Sequence, residues 1–93
     1  MMQIELLGKR WRIERPRSIT HDGVPQHGEC DPPDKLNKAI RVVSYVKDRE
    51  ELETFLHEML HGCDWSKDED WIEQAAFDLS VALWRLRYRR DVS

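Results

Sequence analysis

Cysteine and long hydrophobic runs are both scarce in this sequence. Its two cysteines, Cys30 and Cys63, are too few to hold a fold together through disulfides, so we expect free thiols in a reducing compartment. No stretch approaches the ~18 consecutive apolar residues that a membrane span needs. Residues 1–5 also lack the basic-then-apolar order of a secretory signal. We therefore expect a cytoplasmic protein that is not inserted in a membrane.

Positive charge is scarce in the second half of the chain. Residues 1–47 contain nine lysines and arginines against six aspartates and glutamates, whereas residues 48–93 contain six against twelve. Nucleic-acid binding requires cations gathered on one surface. The only dense basic group, from Arg85 to Arg90, would spread around a helix axis. The composition therefore argues against a nucleic-acid partner and leaves a small DNA-associated regulator as a subsidiary interpretation.

The whole length of 93 residues accommodates one domain, which we expect to span residues 1–93.

The first half of the chain has the alternating pattern of apolar residues that is typical of β-strands. Within it, Gln3–Leu7 and Arg10–Glu14 flank a turn signal at Gly8-Lys9 and predict a β-hairpin. Residues 16–33 contain all four prolines and predict mostly loop, with a short extended piece around Gly28–Cys30. The β-branched segment Ala39–Val46 predicts a further strand.

In the second half of the chain, the apolar residues recur at the spacing that is typical of α-helices. Asp48 with Glu51 predicts the start of a first helix, and Gly62 predicts its end. Ser66 with Glu69 forms a capping-box pattern that predicts a second, longer helix from residue 67 to about Arg90. The apolar stripes are Leu52, Phe55, Leu56, Met59, Leu60 and Cys63 on the first helix, and Ile72, Ala76, Leu79, Leu83 and Leu86 on the second. We therefore predict an α+β fold, in which a small, mostly antiparallel N-terminal sheet precedes two helices.

The first helix carries the motif His57-Glu58-Met59-Leu60-His61, with the pattern HExxH. Two histidines four residues apart lie ~40° apart around a helix axis, so both imidazoles can bind one Zn²⁺ at ~2.0–2.1 Å. Glu58 lies ~100° from His57, beside the metal, where a carboxylate can take a proton from a water molecule that attacks a carbonyl. An ordinary solvated helix face would also place both histidines opposite the apolar stripe.

Two segments resemble those of known metallopeptidases. The run Phe55–Trp65 resembles the active-site helix of zincin-like metallopeptidases, including the SprT-like and ImmA/IrrE types, and Asp68–Asp78 resembles the glutamate helix of small gluzincins. The resemblance implies a minimal zincin-like fold with an HExxH helix and a second helix that supplies an acidic third zinc ligand. No histidine follows His61 and no Met-turn signature is present, which excludes the variants with a third histidine ligand.

The resemblance leaves two candidates for the third ligand, Glu69 and Glu73. At 100° per residue, Glu69 lies ~50° from the centre of the apolar stripe on the second helix and Glu73 ~90°. Glu69 is therefore the better placed, although the capping box with Ser66 offers it a local role. Glu73 precedes Phe77 by four residues, a spacing that resembles the ImmA/IrrE glutamate helix. We favour Glu69 as the ligand, with Glu73 orienting a histidine.

These observations predict a zinc-dependent peptidase that acts on a peptide or protein substrate, with Glu58 as general base and His57, His61 and Glu69 as zinc ligands. The alternative is a non-catalytic zinc-binding interaction or sensor module of the same fold, acting through a protein partner. The sequence does not indicate an oligomeric state. We further expect Ala39–Val46 to form the sheet edge that accepts an extended peptide.

The remaining candidate residues are assigned mostly to packing. Cys63 falls on the apolar stripe of the first helix and is expected in the core. Three tryptophans, Trp65, Trp71 and Trp84, are expected to be packing residues as well. Cys30 with His27 is a weaker candidate for metal binding or regulation of the site.

Overall fold

The structure, a computed structural model, describes residues 2–89 and confirms the α+β class. Two helices follow six short strands. The strands are β1 (Gln3–Leu6), β2 (Lys9–Glu14), β3 (Ile19–His21), β4 (Val24–Gln26), β5 (Gly28–Cys30) and β6 (Ala39–Val42). The helices are α1 (Asp48–Cys63) and α2 (Glu69–Arg85), of 16 and 17 residues. Within residues 2–89, neither helix is both long and apolar enough to cross a membrane.

The position of β6 differs from the expectation. The four-stranded sheet has the order β1-β2-β6-β5. β6 pairs in parallel with β2 and antiparallel with β5, and β1 pairs antiparallel with β2, so the sheet is mostly antiparallel as predicted. The prediction that Ala39–Val46 forms a sheet edge is wrong, because both neighbours of β6 belong to this chain. A β-branched run suits a fully paired strand equally well. The edge strand next to α1 is β5.

Two turns with left-handed backbone close the hairpins. Leu7 and Gly8 have φ angles of +50° and +78°, and Asp22 and Gly23 have +51° and +79°. Two successive residues with positive φ form the turn type that matches the twist of paired strands. The first turn therefore lies one residue earlier than predicted. The second joins β3 to β4 in a separate two-stranded sheet, so the expectation of mostly loop in residues 16–33 is wrong for this hairpin.

The core lies between the four-stranded sheet and α1, and α2 packs on α1. Trp11 on β2 is fully buried, and its indole Nε1 donates a hydrogen bond to the Asp31 carbonyl oxygen at 3.2 Å. Around it pack the buried side chains of Ile19, Ile40, Val42, Val43 and Val46, with Phe55 and Met59 from the predicted stripe of α1. Of the three tryptophans predicted to pack, Trp65 and Trp71 are each 48% exposed and Trp84 is half-buried, whereas Trp11 is the fully buried tryptophan of the described residues.

The glycine near the end of α1 is a packing position and does not end the helix. A Cβ on Gly62 would lie 3.2 Å from both Leu6 Cδ1 and Trp11 Cζ2, so glycine lets α1 approach the sheet. The helix continues to Cys63. The side chain of Cys63 is exposed, so the prediction that it lies in the core is wrong. At the other end, no side chain caps α1, so the cap predicted from Asp48 is absent.

The start of α2 is set by Asp68 and not by the predicted capping box. The Asp68 carboxylate accepts a hydrogen bond from the Trp71 amide at 3.3 Å. The Ser66 hydroxyl donates to Asp64 Oδ1 at 2.7 Å, within the turn that links the helices. The capping-box prediction is wrong because this turn occupies residues 64–67 before the helix begins. The side chain of Glu69 is therefore not used to cap α2.

The buried face of α2 is rotated from the predicted stripe. Ile72, Ala76 and Ser80 are buried, whereas Leu79 and Leu86 are exposed. Ser80 takes an inner position because its hydroxyl accepts a hydrogen bond from Arg49 of α1 at 2.7 Å. The helix ends at Arg85, earlier than predicted, and Arg90 lies outside the described residues.

Candidate metal centre

One turn of α1 brings the two motif histidines together. His57 Nε2 and His61 Nε2 lie 3.2 Å apart, and both side chains are partly buried. In a tetrahedral site with metal–ligand bonds of ~2.0–2.1 Å, two ligand atoms are separated by about 3.3 Å. The spacing of the two ring nitrogens therefore matches one edge of such a tetrahedron.

Glu69 completes the group from the first turn of α2. Its Oε1 lies 2.9 Å from His57 Nε2, and its Oε2 lies 3.0 Å from His61 Nε2. The link between the helices reverses the chain over residues 64–68, and the Asp68 cap leaves the carboxylate of Glu69 facing α1. Among residues 2–89, His57, His61 and Glu69 are the group of histidine, cysteine and carboxylate side chains that could hold a metal ion.

Glu58 lies beside this group and is only 7% exposed. It makes no hydrogen bond or ion pair with any residue in the described part of the chain. Burial, and then the negative charges of Glu69 and Glu29, raise the pKa of the Glu58 carboxyl to about 8 in the metal-free protein. A divalent cation on the neighbouring ligands would lower that pKa again, since an opposite charge favours the carboxylate.

The edge strand β5 packs directly on the motif helix at Gly28. A Cβ on Gly28 would lie 2.9 Å from Thr54 Cγ2, 3.0 Å from Glu58 Oε2 and 3.1 Å from the Arg41 carbonyl oxygen. Only glycine fits this approach without movement of a neighbour. Gly28 was not predicted as part of the site. The signal that could have indicated it is a glycine inside a short extended segment, which marks a close backbone approach.

Two cavities flank Glu58. The first, of about 340 Å³, is lined by residues 25–28, by Glu53, Thr54, His57 and Glu58 of α1, and by Glu73 of α2. The second, of about 410 Å³, is lined by Cys30, Glu58, His61, Trp65, Lys67 and Glu69. A molecule bound across both cavities would pass the Glu58 carboxylate and the group formed by His57, His61 and Glu69. Trp65 and Lys67 were not predicted here; their position in the short link after His61 is the signal that could have placed them.

Glu73 lies outside the group formed by His57, His61 and Glu69. It lines the first cavity beside His57 but makes no hydrogen bond to either histidine within residues 2–89. The expectation that it orients a histidine is therefore not met in this structure. Its carboxylate is exposed and faces the cavity from the second helix.

Cys30 and His27 do not form a second metal pair. The Cys30 thiol donates a hydrogen bond to the Asp31 carbonyl oxygen at 3.3 Å. Burial, with the negative charge of Glu58 as the next cause, raises the pKa of this thiol to about 12, which keeps it protonated. The His27 ring packs edge-on against Tyr45, with ring centroids 5.9 Å apart. The Cys30 thiol is therefore uncharged where it lines the second cavity.

Compared with known protein families, curated proteins and solved structures, the chain matches none.

Proposed function

We propose that this protein is a zinc-dependent peptidase in which His57, His61 and Glu69 bind the metal and Glu58 acts as general base. The observation that carries the proposal is the convergence of the three ligand side chains next to a buried carboxylate without a partner. Two imidazoles and one carboxylate form a donor set that suits zinc and leaves a coordination position for water.

The chemistry follows from the position of Glu58. Zinc, when bound, would supply a Lewis acid that polarises the substrate carbonyl and lowers the pKa of the attacking water, so that the water loses a proton more readily. Glu58 accepts the proton of that water and then donates it to the leaving amine. Glu58 lines both cavities and has no protein hydrogen-bond partner in the described chain, so its carboxylate oxygens are available for the proton transfer.

The edge of β5 supports an extended peptide as the substrate. The His27 carbonyl accepts from the Val43 amide and the Asp31 amide donates to the Ala39 carbonyl, so these residues face β6. Because hydrogen-bonding directions alternate along a strand, the backbone groups of Gly28 and Cys30 face the opposite side, toward the cleft. A peptide can add there as a further strand. In this proposal β5 replaces Ala39–Val46 as the accepting edge.

We also propose a cytoplasmic setting for this activity. Both cysteines are free thiols, which agrees with a reducing compartment.

The test combines metal content with hydrolysis. We expect the full chain, purified without added metal, to contain about one zinc and to cleave members of a broad peptide panel followed by mass spectrometry. Glu58→Gln should keep the zinc and lose cleavage at least about 100-fold, because the general base is gone. The double variant His57→Ala/His61→Ala should lose both zinc and cleavage.

A matched pair of variants tests the third ligand. Zinc titration of Glu69→Gln should show a much larger loss of affinity than titration of Glu73→Gln, which removes the same charge one turn further along α2. A larger loss at Glu73 would contradict the assignment of Glu69. Stoichiometric zinc without cleavage of any peptide would favour the non-catalytic interaction or sensor module, and zinc retained in the double histidine variant would place the metal elsewhere.

A further inference from the structure

The cavity beside His57, lined by residues 25–28, α1 and Glu73, has a strongly one-sided charge. No lysine or arginine lines it in the described part of the chain, whereas Glu53, Glu58 and Glu73 do. Glu53 is compensated, since its Oε1 lies 2.7 Å from Arg49 Nη1. Glu73 has no ion pair or hydrogen bond with any of residues 2–89. The cavity therefore presents one carboxylate that the protein leaves without a partner at its rim.

A second observation points to a ligand in the same cavity. Glu58, 7% exposed and without a hydrogen-bond partner in the described chain, also lines it. An unpaired buried carboxylate is costly and is normally satisfied by a hydrogen bond, a cation or bound water. Glu58 in the wall of the cavity and Glu73 at its rim are therefore the two acidic side chains that the described protein leaves without a partner for an occupant to meet.

The cavity has room for a long side chain, and its walls suit a basic one. Its volume of about 340 Å³ is at the low end for ligand pockets, which run from ~300 to ~1,000 Å³. The ring of Pro25 and the methyl group of Thr54 offer apolar walls, and Glu73 offers a charged end. Lysine and arginine combine an apolar stem with a cationic head, which is the complementary arrangement.

We propose that the cavity beside His57 binds a lysine or arginine side chain of an extended peptide, and that Glu73 is the residue that selects it. The inference builds on the proposed function, because it names the class of substrate that the same cleft takes. Glu73 is a specificity residue in this assignment and has no part in proton transfer.

The test measures binding to the full chain kept metal-free with a chelator, so that no cleavage can occur. The probe is a short blocked alanine peptide with one central lysine, compared with otherwise identical peptides that carry norleucine or glutamate. Norleucine retains the apolar stem and lacks the charge. In an NMR titration, the lysine peptide should bind about fivefold more tightly than the norleucine peptide, as expected for a partly exposed ion pair. The shifted amides should include those of Gly28 and Thr54.

Charge variants of Glu73 decide whether that residue is responsible. Glu73→Gln should bring the lysine and norleucine peptides to within about twofold of each other, and Glu73→Lys should reverse the preference toward the glutamate peptide. The matched control is Asp78→Asn, which removes an exposed charge ~140° around the same helix and should preserve the preference. Because Glu73 is exposed, the variants are expected to fold, which the same spectra report.

Three outcomes would overturn the proposal: equal affinity for the lysine and norleucine peptides, a preference that survives Glu73→Gln, or no binding by any probe peptide. None of these depends on metal or hydrolysis. A chain that binds no zinc and cleaves nothing, yet prefers the lysine peptide through Glu73, would contradict the proposed peptidase activity and support the selection of a basic side chain.

Discussion

Gly28 determines, at the scale of single residues, how closely the edge strand approaches Glu58. The three nearest atoms to a Cβ there come from a methyl group of Thr54, the Glu58 carboxylate and the backbone of Arg41. The two side chains can move, whereas the backbone carbonyl belongs to the paired strand β6 and cannot. A side chain at this position would therefore displace the carboxylate that we assign as the general base.

We expect Gly28→Ala to lower the free energy of unfolding by about 1–3 kcal/mol, because it overpacks the contact between β5 and α1. It should also lower the rate of peptide hydrolysis, because the carboxylate of Glu58 must shift. Chemical denaturation and the peptide assay measure the two effects. Thr54→Ser removes the methyl group at 2.9 Å and keeps the hydroxyl that donates to the Glu50 carbonyl oxygen. The double variant Gly28→Ala/Thr54→Ser should therefore recover part of the lost stability; a purely additive result would contradict this contact as the cause.

At the scale of elements, the meeting of Glu69 with His57 and His61 depends on where α2 begins. Three residues separate the turn residue Asp64 from Asp68, which caps the helix and starts it at Glu69. A helix that began at the predicted Ser66 cap would hold the Glu69 side chain at its own first turn. The observed start leaves that carboxylate free to face the histidines of α1, 2.9 and 3.0 Å from their ring nitrogens.

The two candidate caps give a matched pair of variants. Asp68→Ala should lower the free energy of unfolding by about 0.5–2 kcal/mol, because the Trp71 amide loses its acceptor and the helix loses a favourable negative charge at its N-terminus. Ser66→Ala should cost less than about 0.5 kcal/mol, since the Ser66 hydroxyl bonds only within an exposed turn. Asp68→Asn should retain most of the stability. Denaturant unfolding compares all three, and an equal loss for the two alanine variants would contradict the cap at Asp68.

At the scale of the whole molecule, Asp31 ties the end of β5 to the start of β6. Its carboxylate accepts hydrogen bonds from the Ala39 amide at 2.9 Å and from Arg41 at 3.1 and 3.3 Å. Burial alone would raise the pKa of Asp31, but the hydrogen bonds from Arg41 and Ala39 outweigh it and hold the pKa below the usual 3.8. The folded protein therefore binds this proton less readily than the unfolded chain does.

This pKa shift predicts how stability depends on pH. The contribution of Asp31 is fully present above its unfolded pKa of about 4 and is lost as the pH falls through the lower folded value. We expect Asp31→Asn to lower the free energy of unfolding by about 1–3 kcal/mol at pH 7, with the difference from the unmodified chain narrowing below about pH 4. Asp34→Asn, at an exposed position of the loop that follows Asp31, is the control and should change stability little. A difference that widened in acid would contradict the sign of the shift.

The local parts of the fold and site could be predicted because they depend on residues close together in the chain. The helical period of residues 48–63 is sufficient to place His57 and His61 on one face with Glu58 beside them. The resemblance of residues 68–78 to a glutamate helix made Glu69 and Glu73 the candidate third ligands, and the helical period favoured Glu69. The α+β class and the first hairpin follow from alternating and helical hydrophobic patterns in the same way.

The tertiary structure alone decided which strand forms the edge, which side chains meet across the cleft, and which glycines are needed. β6 has a composition that suits an edge or an interior strand, and only the parallel pairing with β2 across a long connection makes it interior. Gly28 and Gly62 are needed because other elements bring side chains such as Thr54, Glu58 and Trp11 against them, whereas Gly8 and Gly23 have positive φ and open space around them. The local hydrophobic period does not predict such contacts. They form between residues far apart in the chain, so they depend on how the connections place the elements and on how closely the elements pack.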